Sequence, residues 1–174
     1  MLSRDFVFWE VDVQADFMLP DGKLYVPGAE KLLPNIRKLT NAACRGEVFL
    51  VSHGCFHTAN DPEFQQFPPH CVKGTPGAQF VPEALAEKVV RVENVPSAKL
   101  PDDFTPYQQI VLEKQTFDVF DNVHTAEVLD RLNPTDRATA VANTIALLQP
   151  TLCDADGNWT ADYVRLRFHA TRGT

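Results

Sequence analysis

Between Val51 and Ala78 the chain reads VSHGCFHTANDPEFQQFPPHCVKGTPGA, and this stretch holds three of its five histidines and two of its four cysteines. Imidazole and thiolate are the donors that bind borderline metals such as zinc, and a thiolate is also a nucleophile. A metal site and a thiol site therefore compete as readings of the segment. Two other groups bear on the choice. Asp12, Gln14, Asp16 and Phe17 follow an apolar run, FVFWEVDV, and Lys114 ends another, QIVLEK.

These groups need elements to carry them. Phe6 to Val13, aromatic and β-branched, reads as a buried strand that delivers carboxylates at its C-terminal end. In YVPGAEKLLPNIRKLTNAACRG, Leu32, Leu33, Ile36, Leu39 and Ala43 recur at helical spacing. Pro34 fits only near a helix start, so a helix is expected from about Pro34 to Cys44, with Gly46 as its stop. Glu47 to Ser52 is a second strand, and strand–helix–strand with short connections predicts a parallel sheet. The histidine- and cysteine-rich segment follows as a loop. Pro82 to Val90 reads as a short helix running into a strand, Gln109 to Lys114 as a further strand, and Thr125 to Leu132 as an amphipathic helix capped by Thr125. Asp12, Lys114 and the Cys55/His57/His70 group then converge on one edge of the sheet, where open α/β sheets bind ligands. Asp61 and Glu63 are read as residues that fix the loop, Cys71 as a small buried hydrophobe, and His53 and His124 as structural or solvated.

Bulk properties narrow the function classes. A chain of 174 residues fits a single domain, 1–174, with a real core, and 44% apolar and 22% charged residues are ordinary for a globular protein. The net charge of −7 and the lack of a Lys/Arg stripe argue against nucleic acid. No apolar run is long enough to span a bilayer and the first residues, MLSRDFVFWEVDVQ, are broken by charge, so a cytoplasmic protein without membrane contact is expected. Cysteines at 44, 55, 71 and 153 have neither zinc-ribbon spacing nor the density of a disulfide scaffold, which predicts reduced thiols.

Five segments in one order carry a resemblance: DVQADF at 12–17, LYVPGAEKLLPNI at 24–36, HTANDPEFQQFPPHCVKGTPGA at 57–78, VPE at 81–83 and VLEKQTFDVFDN at 111–122. Together, over residues 6–134, they resemble the isochorismatase-like cysteine hydrolases, in their nicotinamidase branch. The resemblance implies a three-layer α/β/α fold with a central parallel sheet, and hydrolysis of a small amide, nicotinamide to nicotinate and ammonia being the leading case. It places Asp12 where the family keeps the general base and Lys114 where it keeps the lysine that stabilises thiolate and oxyanion, with Phe17 lining the pocket against a flat ring. It also implies zinc, or another divalent metal, at Cys55, His57 and His70. Cys55 stands where the nicotinamidase branch has an aspartate, and metal-free relatives keep the alternative open. Self-assembly into a homo-oligomer is left open as well.

Residues 134–174 depart from the family pattern. The family's nucleophilic cysteine ends a later strand in a segment like Y-G-V-x-T-E-Y-C-V, whereas here the remaining cysteine is Cys153, in LCDADG. Read from the third base of each codon, Ala138-Thr139 can give Tyr-Gly, and Asn143 to Ala146 can give His-Tyr-Cys-Val. The expectation is that this segment is a frameshifted version of the family's C-terminal part. The competing reading is a non-catalytic relative that at most binds metal or a small aromatic ligand.

Overall fold

In a computed structural model of the chain, residues 7–132 are described; the divergent segment 134–174, with Cys153, lies outside the described residues. Four strands form one sheet, β1 (Val7–Val11), β2 (Phe49–Cys55), β3 (Val89–Val92) and β4 (Gln109–Lys114), in the order β1-β2-β4-β3. Every pairing is parallel, with Val7 opposite Phe49, Leu50 opposite Gln109 and Val89 opposite Gln109. Parallel neighbours need crossover connections, and the helix over Leu33–Cys44 lies between β1 and β2 in the chain. After β1 come α1 (Ala15–Met18) and α2 (Leu33–Cys44); α3 (Thr125–Leu132) follows β4.

The two faces of the sheet are covered differently. Phe49, Val51, Ile110 and Leu112 pack with Val92, Phe104, Val119 and with Val128 and Leu132 of α3. Leu50, pointing the other way by strand alternation, packs with Val48 and with Ala43 of α2. Both central strands are buried along their whole length, as expected of a parallel sheet with helices on both faces.

Several boundaries differ from the sequence expectation, each for a local reason. β2 begins two residues later and runs three residues further, so His53, Gly54 and Cys55 are strand, not loop; their backbone pairs with Leu112, Glu113 and Lys114 of β4. Helix α2 starts at Leu33 with Pro34 in its first turn, and Gly46 (φ 78°) follows its C-cap. Pro82–Ala84 is a single 3-10 turn before β3. Thr125 is the first residue of α3 and its hydroxyl donates to the Val119 carbonyl at 2.7 Å, which removes it from a capping role.

Candidate active site

The C-terminal ends of β1, β2 and β4 meet at Asp12, Cys55 and Lys114. Cys55 and Lys114 are register partners on adjacent strands, and the Asp12 N–H still pairs with the His53 carbonyl at 2.9 Å, so all three arrive at one level. Asp12 then takes a left-handed backbone conformation (φ 56°), one of few non-glycine residues to do so. Lys114 Nζ lies 3.0 Å from Cys55 Sγ, 3.2 Å from Asp12 Oδ1 and 3.1 Å from the Thr116 carbonyl oxygen. The Cys55 thiol is 3.7 Å from Asp12 Oδ1.

Burial sets the electrostatics. Lys114 is 1% exposed and Cys55 6%. Burial by itself would lower the Lys114 ammonium, but the Asp12 charge and the Cys55 sulfur outweigh it and hold Lys114 above its ordinary value. Burial, reinforced by Asp12, pushes the Cys55 thiol up to about 12 against the opposing pull of Lys114. The site is therefore an Asp12–Lys114 ion pair against a thiol whose ionisation burial opposes. A pocket of ≈ 190 Å³ opens beside it, lined by Asp12, Phe17, Met18, residues 26–29 and Leu32. Phe17 also meets the His70 ring edge-on, with centroids 5.3 Å apart.

The segment D-x-Q-x-D that carries Asp12 also builds the floor of the site. The Gln14 amide donates to the Cys55 and Ala78 carbonyls at 2.6 and 2.8 Å, and its oxygen accepts from the Cys55 N–H at 2.7 Å. Asp16 accepts from the Cys71 and Lys23 N–H groups at 2.7 and 3.0 Å. Glycine is required where these side chains press on backbone: a Cβ on Gly54 would stand 2.6 Å from Gln14 Oε1, and one on Gly77 2.1 Å from Asp16 Oδ2. Gln14 and Asp16 were legible as polar residues within an apolar context, but their positioning role depends on loops distant in sequence.

A second group sits next to the first. Ligand atoms of His57, Glu63 and His70 lie within 4.8 Å of one another. His70 Nδ1 is 2.8 Å from the Pro68 carbonyl oxygen, which fixes the proton there and leaves Nε2 with a lone pair. His57 is fully buried, with Nδ1 3.0 Å from Asp61 Oδ2 and no hydrogen bond at Nε2. Two buried imidazoles with a carboxylate, one ring nitrogen unpartnered, are a chemically suitable donor set for zinc. Two side chains stand differently from the sequence expectation. Cys55, expected with the histidines, turns its sulfur to Lys114 and Asp12. Glu63, expected only to fix the loop, brings its carboxylate to the two histidines. Its place six residues after His57 and seven before His70 was the available signal.

The other readings of this region resolve as follows. Asp61 does hold the loop, accepting from the Glu63 N–H at 2.9 Å, and Cys71 is fully buried in the apolar cluster around Phe56, Phe80 and Val81. His53 is buried against Trp9 with neither ring nitrogen hydrogen-bonded, and burial holds it down at about 4, so it is neither solvated nor satisfied. Among the described residues no helix is long and apolar enough to cross a membrane.

Comparison with known proteins bears on this geometry. Residues 8–93 match the family model of the isochorismatase domain. Among solved structures, an N-carbamoylsarcosine amidase from Thermoplasma acidophilum is 25% identical, with a TM-score of 0.52 over 75% of this chain and 62% of its own. A pyrazinamidase of Pyrococcus horikoshii in complex with zinc is 24% identical, TM-score 0.52, over 72% of this chain and 63% of its own. A nicotinamidase/pyrazinamidase from Bacillus subtilis is 20% identical, TM-score 0.55, over 74% and 66%. The chain thus spans less than two thirds of the length of each of these three. No curated protein matches it. Residues 8–93 thus resemble the isochorismatase domain, and the chain carries the fold of the isochorismatase-like hydrolases.

Proposed function

We propose that the chain hydrolyses a small amide to the acid and ammonia, with nicotinamide as the leading substrate. The observation that carries this reading is the buried contact of Asp12, Lys114 and a thiol at the C-terminal edge of the sheet, beside a pocket bounded by Phe17. Asp12 takes the thiol proton as sulfur adds to the amide carbonyl, and Lys114, already close to the sulfur, offsets the charge that develops on the carbonyl oxygen. Collapse expels ammonia with the proton held by Asp12, and water then releases the acid. The 25% identical amidase of the same fold is in keeping with an amide as substrate.

A zinc or other divalent ion would be held by His57, Glu63 and His70, where it would offer a Lewis-acid position to water or to the ring nitrogen of a pyridine amide. The zinc in the Pyrococcus horikoshii structure is in keeping with that choice. A second reading, a non-catalytic relative that binds metal or a small aromatic ligand, is favoured by one observation: burial keeps the Cys55 thiol at about 12, protonated at neutral pH.

Ammonia release from nicotinamide, pyrazinamide and benzamide separates the two. The amidase reading expects turnover that falls by roughly 10²–10⁴ in Asp12→Asn, the range of a lost general base. Absence of ammonia from all three amides in the zinc-loaded wild type would leave the binding reading.

A further inference from the structure

We propose that Tyr25 and Glu30 are positioning residues that latch the outer wall of the pocket, and that this latch sets how tightly the site holds a ring amide. The role rests on the amide-hydrolase reading for its ligand, and it adds two side chains that are not among those lining the pocket. The pocket has two unequal walls. Asp12, Phe17 and Met18 come from the end of β1 and from α1, whereas residues 26–29 and Leu32 belong to the segment before α2. The sequence explains the shape of the second wall. In Val26-Pro27-Gly28-Ala29 the proline presets φ at the second position, Gly28 takes φ 86° and ψ 1° at the third, and the Ala29 N–H returns to the Val26 carbonyl at 2.9 Å. These are the marks of a type II turn.

The bond that closes this turn leaves the N–H of its central peptide, that of Gly28, to find a partner elsewhere. Tyr25 supplies one. The Gly28 N–H donates to the Tyr25 hydroxyl oxygen at 2.9 Å, and the hydroxyl donates on to the Glu30 carboxylate. The residue just before the turn and the residue just after it are thus joined through its middle. The Tyr25 hydroxyl holds the Glu30 carboxyl below its ordinary value, so the acceptor is charged and the bond is of the stronger, charge-assisted kind.

Apolar burial holds this wall only in part. Ala29 is buried, but Val26 and Leu32 are 39% and 37% exposed. At one end the Val26 N–H donates to the Phe17 carbonyl at 2.9 Å, which ties the wall to the residue that bounds the ring. The Tyr25–Glu30 bond closes the other end, so Val26, Pro27 and Gly28 line the pocket as one preformed surface. A wall ordered before the ligand arrives costs nothing to order on binding, whereas an unlatched turn would take that cost out of the affinity. The loss falls alike on substrate and transition state, so it raises KM and leaves kcat in place.

The test compares full-length wild type with Tyr25→Phe, which removes both bonds, Glu30→Ala, which removes the acceptor, and Glu30→Gln, which keeps one. Circular dichroism reports the fold. Benzamide binding is measured by calorimetry, and ammonia release from nicotinamide gives KM and kcat. In Tyr25→Phe and Glu30→Ala, benzamide Kd and nicotinamide KM are expected to rise about tenfold, the size of one charge-assisted hydrogen bond, with kcat within about twofold of wild type. Glu30→Gln is expected to stay within about threefold of wild type in both constants, because its amide oxygen still accepts from Tyr25. The double variant Tyr25→Phe/Glu30→Ala should be no worse than either single one, as for two ends of one interaction. Unchanged benzamide binding and KM in the folded single variants overturn the latch and leave the amidase reading standing. If wild type binds benzamide but releases no ammonia, and binding weakens in Tyr25→Phe and Glu30→Ala but not in Glu30→Gln, the latch stands and the amidase reading fails. If wild type neither binds benzamide nor releases ammonia, both fail.

Discussion

At the scale of single residues, the site is decided by which way two side chains turn. Cys55 and His57 are two apart, at the end of β2 and just beyond it, yet they serve different groups: the Cys55 sulfur lies on Lys114, whereas the His57 ring faces His70 with centroids 4.9 Å apart. Spacing alone could not separate them, because a C-x-H pair is a plausible ligand pair in a loop, and the segment reads as loop. Strand pairing as far as Cys55 is what commits its side chain. Metal content tests the division. Zinc-loaded wild type and Cys55→Ser are expected to hold equal zinc by elemental analysis, whereas His57→Ala and His70→Ala lose it and Glu63→Gln binds roughly 10-fold or more weakly, the scale on which lost carboxylate partners act. Equal loss in Cys55→Ser would return the sulfur to the metal.

At the scale of elements, a polar thread crosses the sheet interior. Ser52 of β2 donates to Glu10 Oε2 of β1 at 2.9 Å, Gln109 of β4 donates to Ser52 at 2.7 Å, and Glu10 Oε1 has no hydrogen-bond partner. Burial pushes the Glu10 carboxyl up to about 7, against the Ser52 hydrogen bond. The sign follows from linkage. Between the carboxyl's ordinary value of 4.5 and about 7 the unfolded chain has lost the Glu10 proton while the folded chain keeps it. Stability therefore falls as pH rises through that window, by up to about 3 kcal/mol, and the loss is complete above it. Urea denaturation at about pH 5 and about pH 8 should show this drop in wild type and a much smaller one in Glu10→Gln. Equal drops in the two chains would mean that Glu10 is not the group responsible. The sequence announced the strands here through their β-branched and aromatic runs. It did not announce the thread, since a glutamate inside FVFWEV reads as the polar face of a strand until its neighbour β2 is known to cover it.

At the scale of the molecule, the parallel sheet and the convergence of Asp12, Lys114 and the histidine loop on its C-terminal edge were legible, because strand–helix–strand order and strand-end carboxylates constrain topology. Glu63, Gln14 and the orientation of Cys55 were not, because each depends on contacts between segments tens of residues apart. The expectation for residues 134–174 belongs to the nucleic acid, and it is tested there. In this chain Asn143 to Ala146 reads NTIA. If a single-base displacement separates this segment from the family's ending, the last base of the Thr144 codon followed by the first two of Ile145 spell TAY, and the next three bases spell TGY, giving Tyr-Cys. The Thr144 codon must then end in T, the first base of the tyrosine codon, and the Ile145 codon must end in T, the first base of the cysteine codon, its first two bases completing the tyrosine. Sequencing the coding DNA decides the matter in one read. Any other base at either position ends the frameshift reading, whereas both T's would give the shifted frame a cysteine in the family's late-strand position. A chain expressed in that frame should then release ammonia even as Cys55→Ser, while the chain as it stands should not.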